Sequence, residues 1–134
     1  MEIKFTDNSD EVLTAMLAAK LRALERCGKN AEEYAKKLAP SPGKTGQGNL
    51  RNSITHTVIE DEAYIGTVVD YAPYVEMGTG KYTAGGRQDP WVYRDDEGNW
   101  HRTEGVKARP FMKPAVENHK NEYFHIMKEE LEGE

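Results

Sequence analysis

Between Leu17 and Leu38 the residues Leu17, Leu21, Leu24, Gly28, Ala31, Ala35 and Leu38 recur at alternating spacings of four and three. That period draws one apolar stripe along a helix. A stripe of this length constrains everything else, because other segments must supply the surface that covers it. Val12, Leu13 and Met16 widen it at the start, and Tyr34 near the end. Ser9 or Asp10 is placed to cap the helix, with acidic Glu11 in its first turn, and Pro40, Pro42 and Gly43 stop it. The helix predicted over residues 9–39 would be roughly 45 Å long. Gly28 weakens its middle by roughly 1 kcal/mol relative to alanine, which suits a kink or a close crossing there.

The segment Pro40 to Asn49 is rich in Pro, Gly, Ser and Thr and reads as a loop. Ile54, His56 and Val58 then alternate with Ser53, Thr55 and Thr57, the period-two pattern of a half-buried strand. Glu60-Asp61-Glu62 makes a turn and Ala63 to Val69 returns, so residues 50–70 predict an antiparallel β-hairpin. Pro73 suits the first turn of a short helix, and Gly78 the position just past its end. From Gly78 to Arg109 the periodicity is lost, and Gly85-Gly86 marks flexible backbone. Residues 78–109 are therefore expected as a long flexible loop. Within it, Trp91 to Arg94 and Asn99 to Arg102 can pair around Asp95-Asp96-Glu97-Gly98. A last helix is predicted over residues 113–131, with Ala115, Val116, His119, Tyr123, Ile126, Met127 and Leu131 on its apolar face. This order implies one α+β domain: an antiparallel β-sheet packed against a long N-terminal helix and a C-terminal helix. At 134 residues the chain is of single-domain size and can bury a core without disulfides or metals.

Function narrows by exclusion. A formal net charge of -5 argues against a general nucleic-acid binder, whose affinity rests on neutralising phosphates. The single cysteine, Cys27, fits a reducing cytoplasm and sits where cysteine serves as a small buried hydrophobe. No apolar run is long enough to span a membrane and Met1 to Asp10 lacks a signal-peptide core, so no membrane partner is expected. His56, His101, His119 and His125 are scattered over different elements, without the clustering that a metal site needs. There is no Gly-x-Ser-x-Gly elbow, and Gly43-Lys44-Thr45 lacks the earlier glycine and strand of a phosphate loop. Glu76, between Val75 and Met77, is the most tempting acid, yet no second acid or base accompanies it. A salt bridge or a cap on neighbouring backbone is its preferred role. No catalytic residue, metal or cofactor is expected, and the chain does not read as an enzyme.

What remains is recognition. Tyr82, Trp91, Tyr93 and Trp100 are interleaved with Lys81, Arg87, Arg94 and Arg102. Such a mixture suits a protein interface, where Trp, Tyr and Arg concentrate binding energy. It also suits stacking on single-stranded nucleic acid or glycan, which makes a binding module the alternative reading.

Three blocks in order carry a resemblance. They are Gly48-Asn49-Leu50-Arg51-Asn52-Ser53-Ile54, then Ile65-Gly66-Thr67 running into Tyr71-Ala72-Pro73-Tyr74-Val75-Glu76-Met77-Gly78-Thr79, then Arg109-Pro110-Phe111-Met112-Lys113-Pro114-Ala115. Together, between two long helices, they resemble the tail-component family of long-tailed (siphovirus-type) phages, which includes tail-completion and head-to-tail joining proteins. The resemblance runs from about Ser9 to Leu131. Met77 stands where many relatives carry phenylalanine, and the hairpin between Asp89 and Glu104 looks like an elaboration found in part of the family.

The resemblance implies a structural virion protein at the head-proximal end of the tail, assembled in the bacterial host cytoplasm. Its implied partners are copies of itself in a ring, expected to be sixfold, head-side connector or adaptor proteins, and tail tube or tail terminator proteins. Double-stranded DNA would pass through without being held, which suits an acidic chain. Cyclic assembly needs two different patches per subunit. One is expected on the loop, at Gly78, Thr79, Gly80, Lys81, Tyr82, Arg87, Trp91, Tyr93, Trp100 and Arg102, and the other on the polar flank of the long helix. Tyr71, Pro73, Tyr74, Glu76, Arg109, Pro110, Phe111 and Pro114 are read as the supporting motif. Within it Tyr71, Tyr74, Val75 and Met77 are expected as apolar anchors and Phe111 as a core plug.

Overall fold

The computed structural model describes residues 3–40 and 49–132. The expected loop after Pro40, with Pro42, Gly43-Lys44-Thr45 and Gly48, therefore lies outside the described residues. Helix α1 spans Ser9–Leu38. Neither Ser9 nor Asp10 caps it: Asn8 takes the cap position, and the Asp7 carboxylate accepts the Ser9 backbone N–H at 2.8 Å. The helix continues through Gly28 without a break. The missing side chain there makes room for a histidine, since a Cβ on Gly28 would lie 3.0 Å from Cδ2 of His56.

The short helix α2 (Asn49–Ser53) precedes strands β1 (Thr55–Ile59) and β2 (Glu62–Gly66). These pair antiparallel, with His56 opposite Ile65 and Ile59 opposite Glu62. The hairpin expected over residues 50–70 is thus shorter at both ends. Leu50 and Ile54 are four residues apart, a helical spacing, and both side chains turn inward and are fully buried. Helix α3 (Ala72–Met77) follows, with Pro73 in its first turn, and then a 3₁₀ turn at Gly80–Tyr82. Strands β3 (Trp91–Arg94) and β4 (Trp100–Thr103) form a second antiparallel pair, separate from the first. The α+β class holds, with two small two-stranded sheets in place of one.

The last helix is divided into α4 (Met112–Glu117) and α5 (Lys120–Leu131). The break falls at His119, which has left helical geometry (φ -124°, ψ 24°). Its ring stacks flat on Tyr34 of α1, with centroids 3.5 Å apart and planes 1° from parallel. Continuous helical periodicity across 113–131 gave way to this tertiary contact.

The core gathers Ala35 and Ala39 from the end of α1, Leu50, Ile54, Ala72, Phe111 and Ala115. Tyr34, Ile65, Val69, Val75 and Met112 pack around them. Small residues on α1 and α4 bring those two backbones close, and Phe111, Leu50 and Ile54 fill the space around them. The other half of α1 is different. Val12, Leu13, Met16, Leu17 and Leu21, expected to belong to the covered stripe, are all exposed. The hairpin tip reaches α1 through the Lys20–Asp61 ion pair, and α5 through Arg22 and Arg26 with Glu130. The first turns of α1 project past both.

One polar joint fixes β1 to α1. His56 places Nε2 at 2.5 Å from Glu25 and Nδ1 at 3.1 Å from Glu32, one carboxylate on either side of Gly28. Ionised carboxylates only accept, so the ring must carry a proton on both nitrogens to satisfy both. The hydrogen bond to Glu25 lifts the His56 pKa above its usual value, with burial opposing and Glu32 adding. Lys36, one turn on from Glu32, bonds it at 3.4 Å and completes the charge set. Because the folded pKa is raised, the stabilisation is fully present below the unfolded value of about 6.5. It is lost as pH rises through the folded value. Denaturation midpoints taken from pH 5.5 upward should therefore fall as His56 deprotonates, by about 1 kcal/mol or less, because solvent screens the largely exposed Glu25 carboxylate. His56→Gln should be less stable at low pH and lack that slope; an unchanged slope would remove His56 as its source.

Candidate functional site

The three sequence blocks meet at one place. Leu50 and Ile54 of the first and Ala72 of the second lie in the same core as Phe111 and Ala115 of the third. The second and third are also joined through polar contacts. Glu76 Oε1 accepts the backbone N–H groups of Phe111 at 3.1 Å and Met112 at 2.7 Å, and Oε2 that of Lys113 at 3.5 Å. These donors at the start of α4 have no partner within their own helix. Glu76 is thus a cap on neighbouring backbone. The Arg109 N–H adds a bond to the Val75 carbonyl at 2.8 Å. Pro114 sits in the first turn of α4, where its missing donor costs nothing.

The expected anchors on α3 divide. Val75 packs on the core, whereas Tyr74 and Met77 each remain 61 % exposed and Tyr71 is partly exposed. α3 is a single short helix whose inner face is taken by Ala72 and Val75, so Tyr74 and Met77 turn outward.

Residues 78–109 carry more regular structure than their lack of periodicity suggested. Two backbone segments run side by side as a stem. The Thr79 N–H donates to the Val106 carbonyl at 2.9 Å, the Val106 N–H returns to Thr79 Oγ1 at 2.8 Å, and the Lys81 N–H donates to the Glu104 carbonyl at 3.2 Å. Gly80 (φ 61°) and Gly105 (φ 113°) lie where the segments touch; a Cβ on either would strike the opposing backbone. The Lys81 ammonium and Glu104 carboxylate pair at 2.7 Å on the outside of the stem. Lys81 and Lys107 both stand over the Tyr82 ring.

Beyond the stem, β3 and β4 pack chiefly on each other. Asp95 shapes their turn. Its carboxylate accepts the Glu97 and Asn99 N–H groups at 3.0 and 2.8 Å and meets His101 Nε2 at 2.6 Å. The His101 contact, with those N–H groups, holds the Asp95 carboxyl below its ordinary range.

The register pairs Trp91 with Thr103, Val92 with Arg102, Tyr93 with His101 and Arg94 with Trp100. Side chains alternate across a strand, so Trp91, Tyr93 and His101 share one face, and Val92, Arg94, Trp100 and Arg102 the other. Arg87 lies over the Trp91 ring at 5.7 Å, and Tyr93 stacks on His101 at 5.3 Å. The sequence-level grouping of Trp91 with Trp100 is not one surface. Trp100 and Val92 are more than half exposed on their own face, flanked by two arginines. A lone two-stranded hairpin is marginal in water, and this one exposes apolar residues on both sides.

Among the described residues no cluster of His, Cys, Asp or Glu is arranged to hold a metal ion, and no helix is long and apolar enough to cross a membrane. Cys27 is half-buried against the Tyr123 carbonyl, and burial pushes its thiol pKa up, away from the nucleophilic thiolate. Burial likewise holds the Tyr123 phenol at a pKa of about 12 while it donates to the Ala115 carbonyl at 2.5 Å.

The class defined by these features is an α+β protein presenting a stem-mounted hairpin. Comparisons with known protein families, curated proteins and solved structures give no match.

Proposed function

We propose that this chain is a non-catalytic structural subunit at the head-proximal end of a phage tail, acting in tail completion or head-to-tail joining as part of a ring. One observation carries the reading: the three blocks of the resemblance, far apart in sequence, form a single core in which Glu76 of the second block caps the helix opened by the third. Resemblance spread over unrelated surface segments would lack that coherence. The hairpin supports the same reading, since exposed Trp and Arg on a hydrogen-bonded stem are the residues that anchor protein interfaces. With both oxygens of Glu76 turned to backbone N–H groups, its carboxylate serves the scaffold.

The test replaces residues 87–102 by a short Gly-Ser linker, keeping the stem. The variant should keep its helical circular dichroism and its melting temperature within a few degrees. Supplied as the only copy of the gene in a phage infection, it should leave heads and tails unjoined. Normal infectious particles would remove the hairpin from the assembly role. A wild-type chain that does not co-purify with virions would overturn the tail reading itself.

A further inference from the structure

The first turns of α1 carry apolar surface that the fold does not use. Val12, Leu13, Met16, Leu17 and Leu21 are each between 51 and 58 % exposed, and Ile3 and Phe5 just ahead of the helix are more so. On a helix Leu13, Leu17 and Leu21 lie on the side that, further along, buries Leu24, Gly28, Ala31 and Ala35, while Val12 and Met16 line up with the buried Ala19 and Ala23. These exposed side chains form the kind of contiguous apolar patch that marks an interaction site.

An apolar groove lies beyond the other end of the same helix. Pro40, Leu50, Tyr71, Val75 and Val106 line a cavity of about 230 Å³, and Lys107 and Arg109 bring positive charge to its edge. The projecting arm starts acidic, with Asp7, Asp10 and Glu11 against Lys4 alone. Arm and groove thus match in apolar character and oppose in charge. They stand at opposite ends of a helix of 30 residues, roughly 45 Å long. One molecule cannot bring its own arm to its own groove, but a second copy can.

We infer that the arm of one copy docks in the groove of the next, apolar face inward and acidic start against Lys107 and Arg109. This is a helix-in-groove contact between unlike surfaces, and it propagates head to tail. The inference rests on the ring reading in that it supplies the subunit contact the ring needs. It places that contact on the apolar side of α1, not on its polar flank.

Two variants test it. Leu13→Glu with Leu17→Glu spoils the arm at exposed positions, and Lys107→Glu with Arg109→Glu reverses the groove's charge; circular dichroism and melting check that both fold. Sedimentation velocity at rising concentration should show the wild type associating and each variant alone remaining monomeric. Mixed, the two should form a 1:1 pair and stop, because the groove variant keeps a good arm and the arm variant a good groove. Association by the groove variant alone would point to arm against arm and overturn the inference. So would association by the arm variant, or a mixture that stays monomeric. A wild type that is monomeric up to its solubility limit also overturns the contact, and it leaves the tail reading to the virion experiment, which does not depend on it.

Discussion

Phe111→Ala should cost about 3–5 kcal/mol, because it empties the centre of the core. The ring is fully buried, and its core neighbours include Ala35, Ala39, Ala72 and Ala115. Alanines cannot reach into the vacated space, and the helix backbones that carry them are held by other contacts, so most of the cavity would persist. Against a total stability of about 5–15 kcal/mol for a domain, this is a large fraction. Melting should fall by roughly 10–20 °C for a chain of this size. In urea the midpoint should drop while the slope stays the same. Phe111→Leu should cost much less, since most of the volume is kept. Tyr74→Ala, in the block read as a partner of Phe111, should change stability by less than about 0.5 kcal/mol because that ring is in solvent. Equal losses for Phe111→Ala and Tyr74→Ala would mean that the core has been placed wrongly.

That contrast marks how much was legible in the sequence. The long helix, both hairpins and the inward position of Phe111 follow from local signals: period, turn residues and a proline-framed apolar residue. The exposure of Tyr74, Met77, Leu17 and Leu21 does not. Periodicity tells which side of an element is apolar, and says nothing of how far its partners extend. Here the covering of α1 begins only at Ala19 and Lys20, and the turns before them are exposed. Helix α2 was hidden for another reason. Leu50 and Ile54 show helical spacing, but the alternation that begins at Ser53 reads as continuous with them. The His56 joint had a readable sign, two glutamates seven apart on one face of α1 with a glycine between, yet only the register of β1 aims the imidazole there. Between Tyr82 and Arg102 the sequence shows which aromatic and basic residues are present, but not which of them share a face. Trp91 and Trp100 lie close in sequence and turn to opposite faces because Arg94, not Trp91, pairs with Trp100.

Glu76→Ala should cost about 2–4 kcal/mol, although Glu76 contributes nothing to the apolar core. Its carboxylate accepts a short hydrogen bond from Met112, an ordinary one from Phe111 and a long one from Lys113. Bonds to an ionised acceptor are worth about 1.5–3 kcal/mol each, and removing the acceptor also leaves part-buried N–H groups without a partner. The negative charge further favours the amino end of α4. Glu76→Gln keeps one acceptor oxygen and should lose about half as much. Glu76→Asp is one methylene shorter and should fall between them. Since the carboxylate holds the backbone of the residue whose ring fills the core, Glu76→Ala and Phe111→Ala should not be additive. A double-mutant cycle should return a coupling of at least about 0.5 kcal/mol. Additive losses would mean that Glu76 fixes α4 without setting Phe111. A Glu76→Gln variant with wild-type stability would mean that the charge plays no part in joining the second and third blocks.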